Sequence, residues 1–214
     1  MLSRPNPDLY RGVEGYMVNT GLSPAAARHV DDLQRALSAV APGLLWFPPP
    51  GALHVTLLDW IAPLADYRER RSDLFARIRP TLDACLRPLV ERCPPIEVRF
   101  RELVVGADAI ILKGTDDGSF GRIRDGFLAG AVLHPQTKRP PRIVHASIAR
   151  YRDERDIDEL AVRAAAIPVD ITERITAFRL VRENRIPMID FDLLGSYHLR
   201  GRADRTIMNG GAGD

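Results

Sequence analysis

The chain has 214 residues, 45% of them hydrophobic and 27% charged, enough to bury a substantial core without disulfides or structural metal. A formal net charge of +2 admits a polyanionic ligand without demanding one. No apolar run approaches the roughly 20 residues of a membrane span, and the first ten residues lack the apolar core of a secretory signal. Two cysteines, Cys85 and Cys93, lie eight residues apart on one predicted helix and read as small core or surface residues. No Cys/His cluster has the spacing of a zinc site. These features predict a cytoplasmic protein, monomeric, with no membrane, metal or cofactor requirement. Arginine far outnumbers lysine, and its planar fork suits phosphate, although a coding bias yields the same excess.

In chain order, Val13–Val18 reads as a strand ended by Asn19-Thr20-Gly21. Ser23-Pro24 then marks a helix start, a capping serine with proline at the first helical position. Val30, Leu33, Leu37 and Val40 give that helix an apolar face, and Pro42-Gly43 stops it. A proline run at Pro48–Pro50 leads into a strand over Leu53–Trp60. Leu74, Ile78, Leu82, Leu86 and Leu89 form the stripe of a second helix, which Pro80 and Pro88 should kink or split. Ile96–Val104 and Ala107–Lys113 read as two strands joined at Gly106. Asp117-Gly118-Ser119 opens a third helix carrying Phe120, Ile123, Phe127 and Ala131, ended near His134-Pro135. The basic stretch Lys138–Arg142 precedes a strand over Ile143–Tyr151. A short helix around Ile157–Ala166 and strands over Ile175–Arg182 and Ile189–His198 complete the order. The Gly-rich tail from Gly201 predicts disorder.

Strand, helix, proline-containing entry and histidine strand thus occur twice, in Val13–Trp60 and Ala107–Tyr151. The helix-start serine precedes the histidine by 31 residues in the first copy (Ser23, His54) and by 26 in the second (Ser119, His145).

The two histidine strands share one pattern: Leu53-His54-Val55-Thr56-Leu57 and Val144-His145-Ala146-Ser147-Ile148. Strand alternation puts His54 with Thr56, and His145 with Ser147, on one face of each strand, with apolar residues on the other. Continued strictly, it also puts Trp60 and Tyr151 on the histidine faces, where either would stack on a base or cap the core, and Arg150 on the face opposite His145. One such strand would be ordinary in any core. Two, each after a matched helix, suit in-line cleavage of a phosphodiester, which needs a base on the attacking oxygen and an acid on the leaving oxygen. An imidazole pKa near 6.5 supplies both forms near neutral pH, and the hydroxyls of Thr56 and Ser147 can donate to non-bridging oxygens. Trp60, Tyr151 and Arg142 are the candidate substrate-binding residues, with Arg139 beside Arg142 as a further phosphate contact. His29, His134 and His198 read as structural.

Paired His-x-[Thr/Ser]-apolar strands, here His54-Val55-Thr56-Leu57 and His145-Ala146-Ser147-Ile148, 91 residues apart, resemble the 2H phosphoesterase superfamily, which includes the bacterial 2′-5′ RNA ligase and cyclic phosphodiesterase proteins. The resemblance implies an α+β fold of two pseudo-symmetric lobes, antiparallel sheets flanked by helices, with the active-site groove between them. On this sequence that means one domain over residues 1–200, with lobes near 10–105 and 106–200. It further implies metal-independent chemistry on a 2′,3′-cyclic phosphate or 2′-5′ linkage in RNA or a small nucleotide. His54 and His145 would be the acid–base pair and Thr56 and Ser147 the phosphate ligands. Leu58-Asp59-Trp60 departs from the family's usual step after the first motif. The alternatives are a module that binds RNA ends or nucleotides without turnover, and a 2′-5′ ligase or 3′-5′ exonuclease.

Overall fold

A computed structural model of the chain describes residues 1–137 and 139–202. Most of the tail expected to be disordered, 203–214, lies outside the described residues, as does Lys138.

Strand β1 (Gly12–Gly21) runs into helix α1 (Pro24–Val40). The Ser23 hydroxyl accepts from the Ala26 N–H at 3.2 Å, capping the helix as its Ser-Pro start predicts. A two-residue strand, β2 (Leu45–Trp46), precedes β3 (His54–Ile61). Helix α2 (Arg71–Glu91) runs unbroken through Pro80 and Pro88, contrary to the expected split. Burial of Leu74, Phe75, Leu82, Leu86 and Val90 along one face outweighs the lost backbone hydrogen bonds. Strands β4 (Ile96–Val105) and β5 (Ile110–Thr115) follow, then α3 (Ser119–Gly130), β6 (Val144–Tyr151) and α4 (Asp158–Ala165). The last predicted pair of strands is three: β7 (Ile171–Ile175), β8 (Ala177–Arg185) and β9 (Asp190–His198).

The described strands form one curled sheet, ordered β7-β4-β5-β6-β3-β1-β8-β9, with β2 beside β6. All its ladders are antiparallel. Strands β7 and β8 are separated in sequence by Thr176 alone, yet one is an edge strand and the other lies next to the opposite edge. Only a sheet curled until its edges approach can satisfy both. The strand predicted over Ile175–Arg182 therefore breaks at Thr176, because the residues on either side pair with different partners: Ile175 with Ile96, Ala177 with His198.

The sheet divides into two sets of four strands, β9-β8-β1-β3 and β6-β5-β4-β7, so the fold is α+β and pseudo-symmetric. The sets are not contiguous in sequence, which corrects the expected lobes of 10–105 and 106–200. Strand β4 belongs to the second set by its ladders to β5 and β7, and β8 and β9 belong to the first by the ladder to β1. The helices cross over as well. Helix α1, from the first copy, packs on β6 and β7, while α3, from the second, packs on β3 beside α2. The core lies between this helical layer and one face of the sheet; the opposite face carries the histidines.

Candidate active site

The two halves of the sheet meet where β3 pairs with β6, through the bridge Val55↔Ala146. Both side chains point into the core, at 1% and 0% exposure. Their neighbours must then point to the other face, and antiparallel register sets His54 across from Ser147 and Thr56 across from His145. All four are partly exposed, unlike the apolar residues between them. The four predicted catalytic residues therefore form a quartet about a local twofold axis through one bridge.

Beyond the quartet, strict alternation fails on both strands at the same offset. Val18 pairs with Leu58 and Asn19 with Thr56, leaving Leu57 as an extra residue in β3. Ile110 pairs with Ala149 and Ile111 with Ser147, leaving Ile148 extra in β6. Each bulge stands three residues after its histidine and reverses the faces that follow. Trp60 and Tyr151, expected on the histidine face, are accordingly both 0% exposed in the core. The Tyr151 hydroxyl donates to the Gly106 carbonyl at 2.9 Å. In their place Asp59 and Arg150, each five residues after its histidine, turn onto the groove side; the expected orientation of Arg150 is reversed for the same reason. Arg142 and Arg139 are exposed and line a separate cleft with Arg124.

A bulge frees a backbone carbonyl that must find a partner. Buried Arg124 of α3 donates Nε to Leu57 O at 3.1 Å and reaches Thr56 O at 2.7 Å and Ile143 O at 3.3 Å. Buried Gln34 of α1 donates its amide to Ile148 O at 3.1 Å and Pro48 O at 3.2 Å. Side chains from the crossed helices thus fix both histidine strands from behind.

Each imidazole faces a carbonyl two residues upstream. His54 Nδ1 lies 2.7 Å from Ala52 O. A carbonyl only accepts, so the neutral ring carries its proton on Nδ1 and leaves Nε2 bare. Burial pushes the His54 pKa down to about 4, opposed by the Ala52 carbonyl and assisted by the charges of Arg179, Arg150 and His145. Burial lowers His145 as well; the Ile143 carbonyl opposes this, and Arg124 and Arg150 add to it. That carbonyl is already engaged by Arg124, and His145 Nδ1 is buried with no hydrogen-bond partner among the described residues.

Strand β1 brings two further groups beside His54. Asn19, level with Thr56, accepts from Arg179 Nε and Nη2 at 3.1 and 2.9 Å. Gly21 is level with His54, and a Cβ there would stand 3.0 Å from the Arg179 guanidinium, so the missing side chain lets that cation lie over the strand. Its pKa is lowered by burial. His54 and Thr56 also line a pocket of about 280 Å³ shared with Asp59, Arg150 and Glu183. The doublets Leu57-Leu58 and Ile148-Ala149 are the sequence signal for these missed residues, since two adjacent apolar residues between polar ones mark a phase change in the strand. His29 and His198 are exposed, and His134 packs against Tyr67 with ring centroids 5.1 Å apart.

Among the described residues no group of three or more His, Cys, Asp or Glu side chains is placed to hold a metal ion, and no helix is long and apolar enough to cross a membrane. Cys85 and Cys93 are both free thiols.

No protein-family model matches the sequence, and neither does any of the curated proteins compared with it. Solved structures do match the fold. TT0787 of Thermus thermophilus is 18% identical, with 88% of this chain and 100% of that one covered at a TM-score of 0.57. LigT of E. coli complexed with 3′-AMP is 10% identical, covering 88% and 98% at a TM-score of 0.56. A protein described as a phosphoesterase is 11% identical, covering 87% and 98% at 0.57. LigT has also been solved with ATP and with phosphate. These likenesses run nearly the length of each chain, and the fold is that of the LigT-like structures to which the paired histidine strands pointed.

Proposed function

We propose that this protein is a 2H-type phosphodiesterase that opens a 2′,3′-cyclic phosphate, or cleaves a 2′-5′ linkage, in RNA or a small nucleotide. The observation that carries the reading is the quartet about the Val55–Ala146 bridge, two imidazoles and two hydroxyls converging on one face by local twofold symmetry. The nucleotides and phosphate bound by LigT in a matching fold support the same substrate class.

In this reading the phosphate sits across the bridge, with the Thr56 and Ser147 hydroxyls donating to its non-bridging oxygens. A water oxygen bonds to phosphorus on one side, and the bond from phosphorus to the ribose oxygen breaks on the other. His54, neutral with Nε2 bare, accepts the water's proton; protonated His145 delivers one to the departing oxygen. The anchored Nδ1 of His54, which leaves Nε2 bare to accept a proton, favours this assignment. The cations of Arg150 and Arg179 add to the field that draws an anion into the groove.

The test is incubation with the four nucleoside 2′,3′-cyclic phosphates in EDTA, resolving 2′- from 3′-phosphate products. Turnover by the wild type that vanishes in His54→Ala supports the reading, and the isomer formed identifies the leaving oxygen. No turnover of any cyclic phosphate or 2′-5′ dinucleotide overturns it.

A further inference from the structure

Residues 3–11, ahead of β1, belong to no strand, yet they are tied to both halves of the sheet. Near the start of this segment the Arg4 N–H donates to Ala107 O at 2.7 Å and the Asn6 N–H to Tyr151 O at 3.1 Å, on the side of the second strand set. At its end the Tyr10 N–H donates to Ile186 O at 2.9 Å, and the Ile186 N–H to Arg11 O at 3.0 Å, at the turn between β8 and β9 of the first set. Between these ties the segment is stiff. Pro5 and Pro7 flank Asn6, whose Oδ1 accepts from the Asp8 N–H at 3.0 Å, and Asp8 pairs with Arg11 at 2.8 Å. Asn6 and Asp8 line the pocket of about 280 Å³ together with His54, Thr56 and Arg150. The segment is therefore a strap that crosses from one half to the other beside His54, and the β8–β9 turn forms another wall of the pocket through Ile186 and Met188.

We infer that this strap makes the groove blind beyond His54, so that only a phosphodiester at or next to the end of an RNA chain can seat, an inference that rests on the phosphodiester reading of the groove. A linkage inside a chain sends a strand away from phosphorus in both directions. On the His145 side, which the departing ribose oxygen faces in that reading, the way is open. Arg142 precedes His145 by three residues, and with Arg139 it lines a cleft of about 430 Å³ where guanidinium forks can take successive phosphates. On the His54 side the pocket is at the small end for a ligand site, with room for a water or a single nucleoside. A chain that continued past it would have to put its next phosphate against the Asp8 carboxylate and the backbone of the strap. Releasing a segment that only clamped the fold would lower stability and leave the choice between chain end and interior unchanged.

The experiment is fluorescence anisotropy of the full chain with a pair of RNA probes of one sequence: a linear strand whose 3′ end is a methyl phosphodiester, and its circular form, which has no end. Both present diesters of equal charge to the groove. The wild type should bind the linear strand at least about tenfold tighter, since the circle must bring a phosphate onto a fixed carboxylate. Asn6→Pro and Tyr10→Pro each remove the N–H that ties one end of the strap, to Tyr151 O and Ile186 O respectively. Either variant should bring the ratio to within about threefold by gaining affinity for the circle. Loss of fold is read separately from the thermal unfolding midpoint. The variants release opposite ends of the strap, so whichever folds gives the reading, and the wild-type comparison stands without them. Equal wild-type affinities, or a folded variant that keeps the full preference, overturn the inference. Cyclic-phosphate hydrolysis reports on the underlying function independently: turnover with equal binding of both probes sinks the blind groove alone. End-selective binding without turnover supports the blind groove and sinks the hydrolytic reading.

Discussion

Gln34 and Arg124 serve the same purpose on opposite halves of the molecule: each donates from a buried position on a crossed helix to the carbonyl of a bulged residue, Ile148 and Leu57 respectively. Neither residue touches the groove face. Both hold the histidine strands at the point where they change phase, three residues past the imidazole. The histidine and hydroxyl quartet is thus positioned by groups on the reverse side of the sheet, contributed by the other half's helix.

Arg124→Met should therefore cost about 2–4 kcal/mol, because the carbonyls of Thr56, Leu57 and Ile143 lose a charged donor in a buried site. Gln34→Leu should cost about 1–3 kcal/mol by the same reasoning. Urea unfolding at constant pH measures both. Wild-type stability in Arg124→Met would show that relaxation or water satisfies those carbonyls instead.

Tyr151→Phe distinguishes a core tyrosine from a base-stacking one. The hydroxyl donates to Gly106 O and the ring is fully buried. Removing the oxygen should lower stability by about 1 kcal/mol while kcat/KM stays within about twofold. A large fall in kcat/KM at unchanged stability would return Tyr151 to the substrate.

His54 should make stability depend on pH. Its folded pKa, about 4, lies below the ordinary imidazole value. Between those values the unfolded chain binds a proton that the folded one refuses, so stability is full above about pH 6.5 and falls as pH drops toward 4. The slope from this one group is at most about 1.4 kcal/mol per pH unit. Comparing wild type with His54→Asn in urea at pH 7 and pH 5 isolates it: the variant should lose less on acidification. His145 is shifted in the same direction and should add to the effect.

Kinetics should separate the quartet into two pairs. His54→Ala and His145→Ala should each reduce kcat by about 10³-fold or more, the range for lost acid–base catalysis. Thr56→Val and Ser147→Ala should cost about a hundredfold each, as for single donors to a developing charge. Steady-state assays on the cyclic phosphate that turns over best decide this, and near-normal activity in either histidine variant would end the acid–base assignment.

Much of this arrangement was legible from residue type and period. The Ser23-Pro24 cap, the α2 stripe and the two histidine strands all stand where a period of two or 3.6 puts them. The quartet follows from the first four residues of each motif, Leu53–Thr56 and Val144–Ser147, because the bulge comes just after them. Beyond Leu57 and Ile148 a period-two argument fails for one reason: it carries no memory of an inserted residue, so it puts Trp60, Tyr151 and Arg150 on the wrong faces. The doublets of apolar residues mark that insertion once their meaning is known. Long-range choices were not legible at all. Nothing local in Ile171–Arg185 says that Thr176 separates strands with different neighbours, and nothing local in Ile96–Val105 says that it joins the second half rather than the first. Those outcomes depend on which sheet edge is free when the chain returns.

The chain passes from the first set of strands to the second and back again, the return made across a single residue, Thr176. No one cut of the backbone yields two complete halves, and no flexible tether lies between the imidazoles. Their separation is set by hydrogen-bond spacing within one continuous sheet. A hinge that opened the groove would have to break the Val55–Ala146 bridge at the centre of the quartet. Substrate must therefore enter and leave a preset gap, and any adjustment to its size has to come from the loops and side chains along the rim.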